Sequence, residues 1–114
     1  MKNKYKNKKN EYDGIVFDSK KELDRYKVLI AMEHEGEIQC LKMQVPFVLL
    51  DSVKFHNEIR KKPAVKYIAD FVYYTPSGCV VIEDVKSDFT RSLPVYRLKK
   101  HMMRAILGLD ISEV

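Results

Sequence analysis

Apolar and polar residues alternate between Ile38 and Leu50: Leu41, Met43, Val45, Phe47 and Leu49 fall on one side of an extended chain, Lys42 and Gln44 on the other. That rhythm predicts a strand with one face in a core. Pro46 has no N–H to give a ladder, which places the strand at a sheet edge or a bend. Residues 19–35 follow a different rhythm. They lack Gly and Pro, are rich in Lys, Glu and Leu, and stop at Gly36, so they read as a helix with Leu23, Tyr26, Leu29, Ile30 and Glu33 along its inward stripe. Before it, Tyr12 to Phe17 make a turn at Asp13-Gly14 and a short extended piece. Residues 51–64 have no period and read as a basic loop with room for a short hairpin.

The segments "VKYIADFVYY" and "CVVIEDVK" are β-branched and aromatic, and "TPSG" between them has Pro76 and Gly78 where a type I turn takes them. A hairpin with Thr75 opposite Cys79 brings Asp70 directly opposite Asp84. Opposed residues share a face with Cβ atoms roughly 4.5–5.5 Å apart, so the two carboxylates converge. Alternation adds Lys86 to that face and turns Glu83 to the other. Like charges facing each other destabilise a hairpin unless a positive group stands between them, and a hard divalent cation such as magnesium takes carboxylate oxygens while keeping several waters. A plainer account is that Asp84 and Lys86 mark the strand leaving the core and that Asp70 pairs with a lysine.

A last helix begins near Ser92 and Pro94. Val95, Leu98, Met102, Ala105 and Leu109 form its expected core stripe, and Arg97, Lys100, His101 and Arg104 its basic face. A short extended piece follows. Composition adds a partner: the formal charge is +5 and the pI about 9.1, a bias towards an anionic partner. Part of the excess lies in "MKNKYKNKKN", five lysines in ten residues, read as a flexible arm over 1–10 that is either solvated or phosphate-seeking. Arg60, Lys61 and Lys62 add a second basic cluster. At 114 residues the chain supports one further domain, 11–114. No apolar run is long enough for a membrane span and the N-terminus does not read as a signal peptide. Cys40 and Cys79, without a CxxC motif, are expected to be buried free thiols in a reducing cytoplasm. His56 and His101 lack the partners of a zinc site, and His34 reads as a helix-surface residue.

Asp70, the "DVK" of residues 84–86 on the neighbouring strand, and a preceding helix carrying Glu22 together resemble the PD-(D/E)XK nuclease superfamily and its restriction-endonuclease-like fold. The blocks "YDGIVFDSKKE", "YIADFVYY" and "VIEDVK", in this order, are similar to those of a small phage and prophage family of uncharacterised proteins, over about residues 10–104. The D-x-K motif alone is common; three blocks in order are far more specific. The resemblance implies that Asp70 and Asp84 hold the metal, that Glu22 assists from the helix, and that Lys86 addresses the nucleophilic water or the phosphate. It also matches Gln44 to a glutamine near such sites. Ala69 stands where the motif's nominal proline would be, a position that varies in the superfamily.

Glu22 has a second reading, because Ser19-Lys20-Lys21-Glu22 fits a capping box. The sequence thus predicts an α/β (α+β) domain: a helix, a mostly antiparallel meander of strands, then a basic helix. Its expected activity is Mg2+-dependent DNA cleavage, with Mn2+ able to substitute, on branched or recombination intermediates if the phage likeness holds. Arg97, Lys100, Arg104, Arg60, Lys61 and Gln44 are the expected nucleic-acid contacts. The expected setting is the cytoplasm of a bacterial host, and a homodimer would suit cleavage of both strands. The alternatives are a non-catalytic nucleic-acid-binding module with the same fold and, more remotely, a phage protein-interaction domain.

Overall fold

The computed structural model describes residues 10–114. The arm expected over residues 1–10 lies outside them except for Asn10, whose carbonyl accepts from Phe17 N at 2.9 Å. Strands β1 (Glu11–Tyr12) and β2 (Ile15–Val16) form a small antiparallel ribbon with Tyr12 opposite Ile15. Asp13 and Gly14, at φ 53° and 76°, make the two-residue turn. Both positions need positive φ in the type I′ turn that suits strand twist, which is why an Asp-Gly pair sits there. Helix α1 (Lys20–His34) begins at Ser19, whose Oγ accepts from Glu22 N at 3.1 Å, and it buries Glu22, Leu23, Tyr26 and Leu29.

Four further strands form one sheet in chain order: β3 (Gln39–Leu50), β4 (Val65–Tyr74), β5 (Val80–Asp84) and β6 (Ser112–Glu113). Between β5 and β6 lie two helices, α2 (Asp88–Arg91) and α3 (Pro94–Met102), then a π-helical turn over Met103–Leu107. The fold is α+β. β3 is an edge strand, one of the two settings Pro46 allows, and its exposure alternates along the run, with Leu41, Met43, Val45, Phe47 and Leu49 inward. Thr75 N donates to Cys79 O and Gly78 N to Thr75 O, both at 2.9 Å, the bonds expected of the "TPSG" hairpin. Residues 51–64 are irregular, held by one antiparallel bridge between Val53 and Lys62.

The chain divides into two compact units. One comprises residues up to Leu41 together with Tyr73–Val80, the other Lys42–Val72 with Val81–Val114. In the first, Phe17 and Tyr26 pack with ring centroids 5.2 Å apart, and Glu33 Oε2 accepts from Leu41 N at 2.9 Å, tying α1 to the start of β3. In the second, Leu49, Tyr67, Ala69, Val72, Ile82, Tyr96, Met103 and Ile111 form the core, and Val45, Phe47, Met102 and Leu109 pack against it.

Two expectations need correction. In the last helix the buried positions are Tyr96 and Met103, not the stripe begun by Val95 and Leu98, which are 65% and 60% exposed. Ala105 is exposed as well, whereas Met102 and Leu109 do pack inward. The helix turns a different face because Tyr96 carries a hydroxyl that finds Glu113 of β6 while its ring fills the core. The cysteines are exposed rather than buried. Cys40 shares the outward register of β3 with Lys42 and Gln44, and Cys79 sits at the end of the hairpin turn.

The cap at Ser19 has a measurable role. Ser19→Ala removes the acceptor for Glu22 N and is expected to lower stability by about 0.5–2 kcal/mol in denaturant unfolding.

Candidate active site

The second unit gathers Asp70, Asp84 and Lys86 in one open cleft of about 420 Å³. Asp70 lies midway along β4, where its Oδ2 accepts from Val85 N at 2.9 Å and its Oδ1 from Gln44 Nε2 at 3.3 Å. Asp84 ends β5 and is 5% exposed. Its Oδ2 accepts from the Tyr67 hydroxyl at 2.6 Å, and Lys86 Nζ stands 3.4 Å from its Oδ1. Lys86 also lies over the Tyr96 ring at 4.0 Å, a cation–π contact that holds the ammonium near the carboxylate.

The chain beyond α3 fixes the end of β5. β6 pairs parallel to it, Asp84 beside Glu113, and Lys86 N and Val114 N donate to Val114 O and Asp84 O, each at 3.0 Å. Glu113 accepts from Tyr96 Oη at 2.6 Å and Lys100 Nζ at 2.9 Å, and Arg91 Nε is 3.8 Å away. These partners lower the Glu113 pKa, the Tyr96 hydrogen bond most. Burial raises the Tyr96 and Tyr67 pKa values, and the carboxylates they serve raise them further, so both hydroxyls are donors at any ordinary pH.

Asp84 is pushed up to about 6, first by burial. The Tyr67 hydrogen bond and the Lys86 charge oppose the shift, and the neighbouring Asp70 carboxylate adds to it. The nearby Asp70 thus adds to the cost of charging Asp84, a cost that a cation beside it offsets. Among the described residues no three His, Cys, Asp or Glu side chains cluster as a ready-made metal site. A donor set of two carboxylates is too small for structural zinc, but it suits magnesium, which binds through one or two carboxylates and takes waters and substrate oxygens for the rest.

Gln44 reaches Asp70 from an unusual backbone. Its φ is 52°, left-handed in the middle of a strand, a conformation that costs a non-glycine residue of order 1 kcal/mol or more and tends to occur at functional sites. Glu22 belongs to the other unit, where it is 5% exposed beneath the Ser19 cap. Arg97, Lys100, His101 and Arg104 share one surface, as expected, with Arg91 added. That face is partly neutralised, since Lys100 pairs with Glu113 and Arg104 with Asp110 at 3.5 Å. Arg60 and Lys61 are exposed in the long loop, and Lys62 pairs with Glu58 at 3.1 Å.

Tyr67, Tyr96 and Glu113 were not singled out by the sequence. The tyrosines read as core residues, which they are, and nothing local told that each hydroxyl would end on a carboxylate. The helix α2, which Ser87 and Thr90 start by reciprocal hydrogen bonds directly after Lys86, was not anticipated from the sequence either.

Fold and cleft define an α+β domain with a paired-carboxylate site braced by two tyrosines and a lysine. The chain belongs to the family described as Protein of unknown function (DUF1064), which it matches over residues 2–107. No curated protein matches the sequence.

Proposed function

We propose that this protein is a metal-dependent endonuclease that hydrolyses DNA phosphodiester bonds, with a restriction-endonuclease-like arrangement of Asp70, Asp84 and Lys86. The observation that carries the reading is the approach of two acids and a lysine, 3.4 Å from one of them, at an open cleft. A binding module for polyanions gains nothing from acids aimed at phosphate. A magnesium ion bound by Asp70 and Asp84 would supply positive charge to the phosphate and an activated water. Lys86 is the group that meets a phosphate oxygen or orients the attacking water, held there by the Tyr96 ring. Tyr67 fixes the rotamer of Asp84, and Gln44 with Val85 N fixes that of Asp70.

The direct test is incubation with linear, nicked, single-stranded and four-way-junction DNA, in magnesium, manganese or chelator. Metal-dependent cleavage supports the enzyme; intact DNA under every condition with retained DNA binding would favour the non-catalytic module. The basic face is expected to carry the backbone. Arg97→Ala with Arg104→Ala should weaken binding to all sequences and lower the slope of log affinity against log salt by roughly 1–2. The share of Arg104 should be the smaller, because Asp110 already offsets its charge. An unchanged slope would place the substrate elsewhere.

A further inference from the structure

The cleft is not lined for phosphate alone. Lys66 and Lys99 stand at its walls, as a polyanion requires, but Ile68, Leu93 and Val95 also line it and are 53%, 39% and 65% exposed. Nothing in the paired acids or their bracing calls for these three aliphatic side chains. A continuous duplex offers a protein at its cleavage site sugar and phosphate, both polar, and would leave the aliphatic lip against polar groups. An unstacked base offers the opposite surface, a flat apolar face one sugar away from the phosphate. Proteins that unstack bases do it with such aliphatic side chains. A cleft of about 420 Å³ is also of the size class that takes one small ligand, about 300–1,000 Å³, rather than a length of double helix.

We infer that the cleft binds a nucleotide turned out of its stack, with Lys66 and Lys99 on its phosphates and Ile68, Leu93 and Val95 against its base, so that the preferred substrate is a single or locally unpaired strand. The inference rests on the nuclease reading and narrows its substrate. It follows from the energetics of extrusion: a paired base must first be unstacked at a cost of its own, whereas a strand end, flap or single strand has already met it. Val95 and Ile68 are exposed on separate elements, α3 and β4, so changing them removes the lip without opening the core.

The test uses the whole protein with calcium replacing magnesium, so that binding is read without turnover. Fluorescence anisotropy compares a labelled single strand, its fully paired duplex, and that duplex with a single-stranded flap. The protein should bind single strand and flap about tenfold more tightly than duplex, the size of one base contact. Val95→Ser, alone and with Ile68→Ser, should erase that preference while duplex affinity holds. Lys66→Ala with Lys99→Ala should weaken all three complexes alike. Equal affinity for paired and unpaired DNA, or a preference that survives the double serine variant, would overturn the inference and leave the nuclease reading in place. Failure to bind any of the three would overturn both.

Discussion

Asp84→Asn is expected to abolish DNA cleavage and, at neutral pH without metal, to make the protein more stable. Both effects come from one carboxylate. Asparagine keeps the shape and an oxygen for the Tyr67 hydroxyl but has no charge for a cation, so turnover should fall by orders of magnitude. The gain in stability follows from the raised Asp84 pKa. An aspartate titrating at about 6 in the folded chain and at 3.8 when unfolded favours folding below pH 4, and that contribution is lost as pH rises through 6. At about 1.4 kcal/mol per pKa unit the metal-free protein loses on the order of 3 kcal/mol between these limits. Asparagine has no such loss. Denaturant unfolding in chelator at pH 4 and pH 7 should therefore show a fall for the native sequence and a flatter profile for Asp84→Asn. Added magnesium should restore stability at pH 7 only where the carboxylate is present. Cleavage at an undiminished rate by Asp84→Asn would end the metal hypothesis.

Lys86→Ala should separate catalysis from metal binding. Asp70 and Asp84 remain, braced by Gln44, Val85 N and Tyr67, so calorimetric titration should still detect magnesium. Single-turnover cleavage should nevertheless drop at least about a hundredfold, the ordinary scale for removing one positioned proton-transfer or charge-stabilising group. Loss of the ammonium also leaves the buried Asp84 beside Asp70 without its nearest cation, which should weaken folding in chelator above pH 6. If turnover and magnesium affinity are both unchanged, Lys86 is a strand-end lysine and nothing more.

Much of this arrangement was legible in the sequence because β-strands write their faces in alternate residues. The inward set of β3, the edge or bend that Pro46 marks on it, and the "TPSG" hairpin that sends "IEDVK" back past "YIAD" needed only local rules. The last helix was harder. Val95-Leu98 and Tyr96-Met103 both repeat at helical spacing, and the choice between them depends on a strand that arrives later. That strand was invisible as a pairing partner because β6 is two residues long and joins β5 in parallel, across α2 and α3. The braces Tyr67 and Tyr96 were missed for a related reason: their partners lie 17 residues away, beyond any local period.

The pairing of Ser112–Glu113 with the end of β5 also sets an order of events during synthesis. Asp70, Asp84 and Lys86 leave the ribosome well before Val114, whose backbone bonds to Asp84 and Lys86, and before Glu113, which anchors the ring beneath the lysine. At about 5–20 residues per second the interval is on the order of seconds. For that time the nascent chain carries the acids and the amine without the segment that holds them in place. Asp84 and Lys86 thus acquire their backbone partners, and Tyr96 its carboxylate, only as this segment comes free of the tunnel.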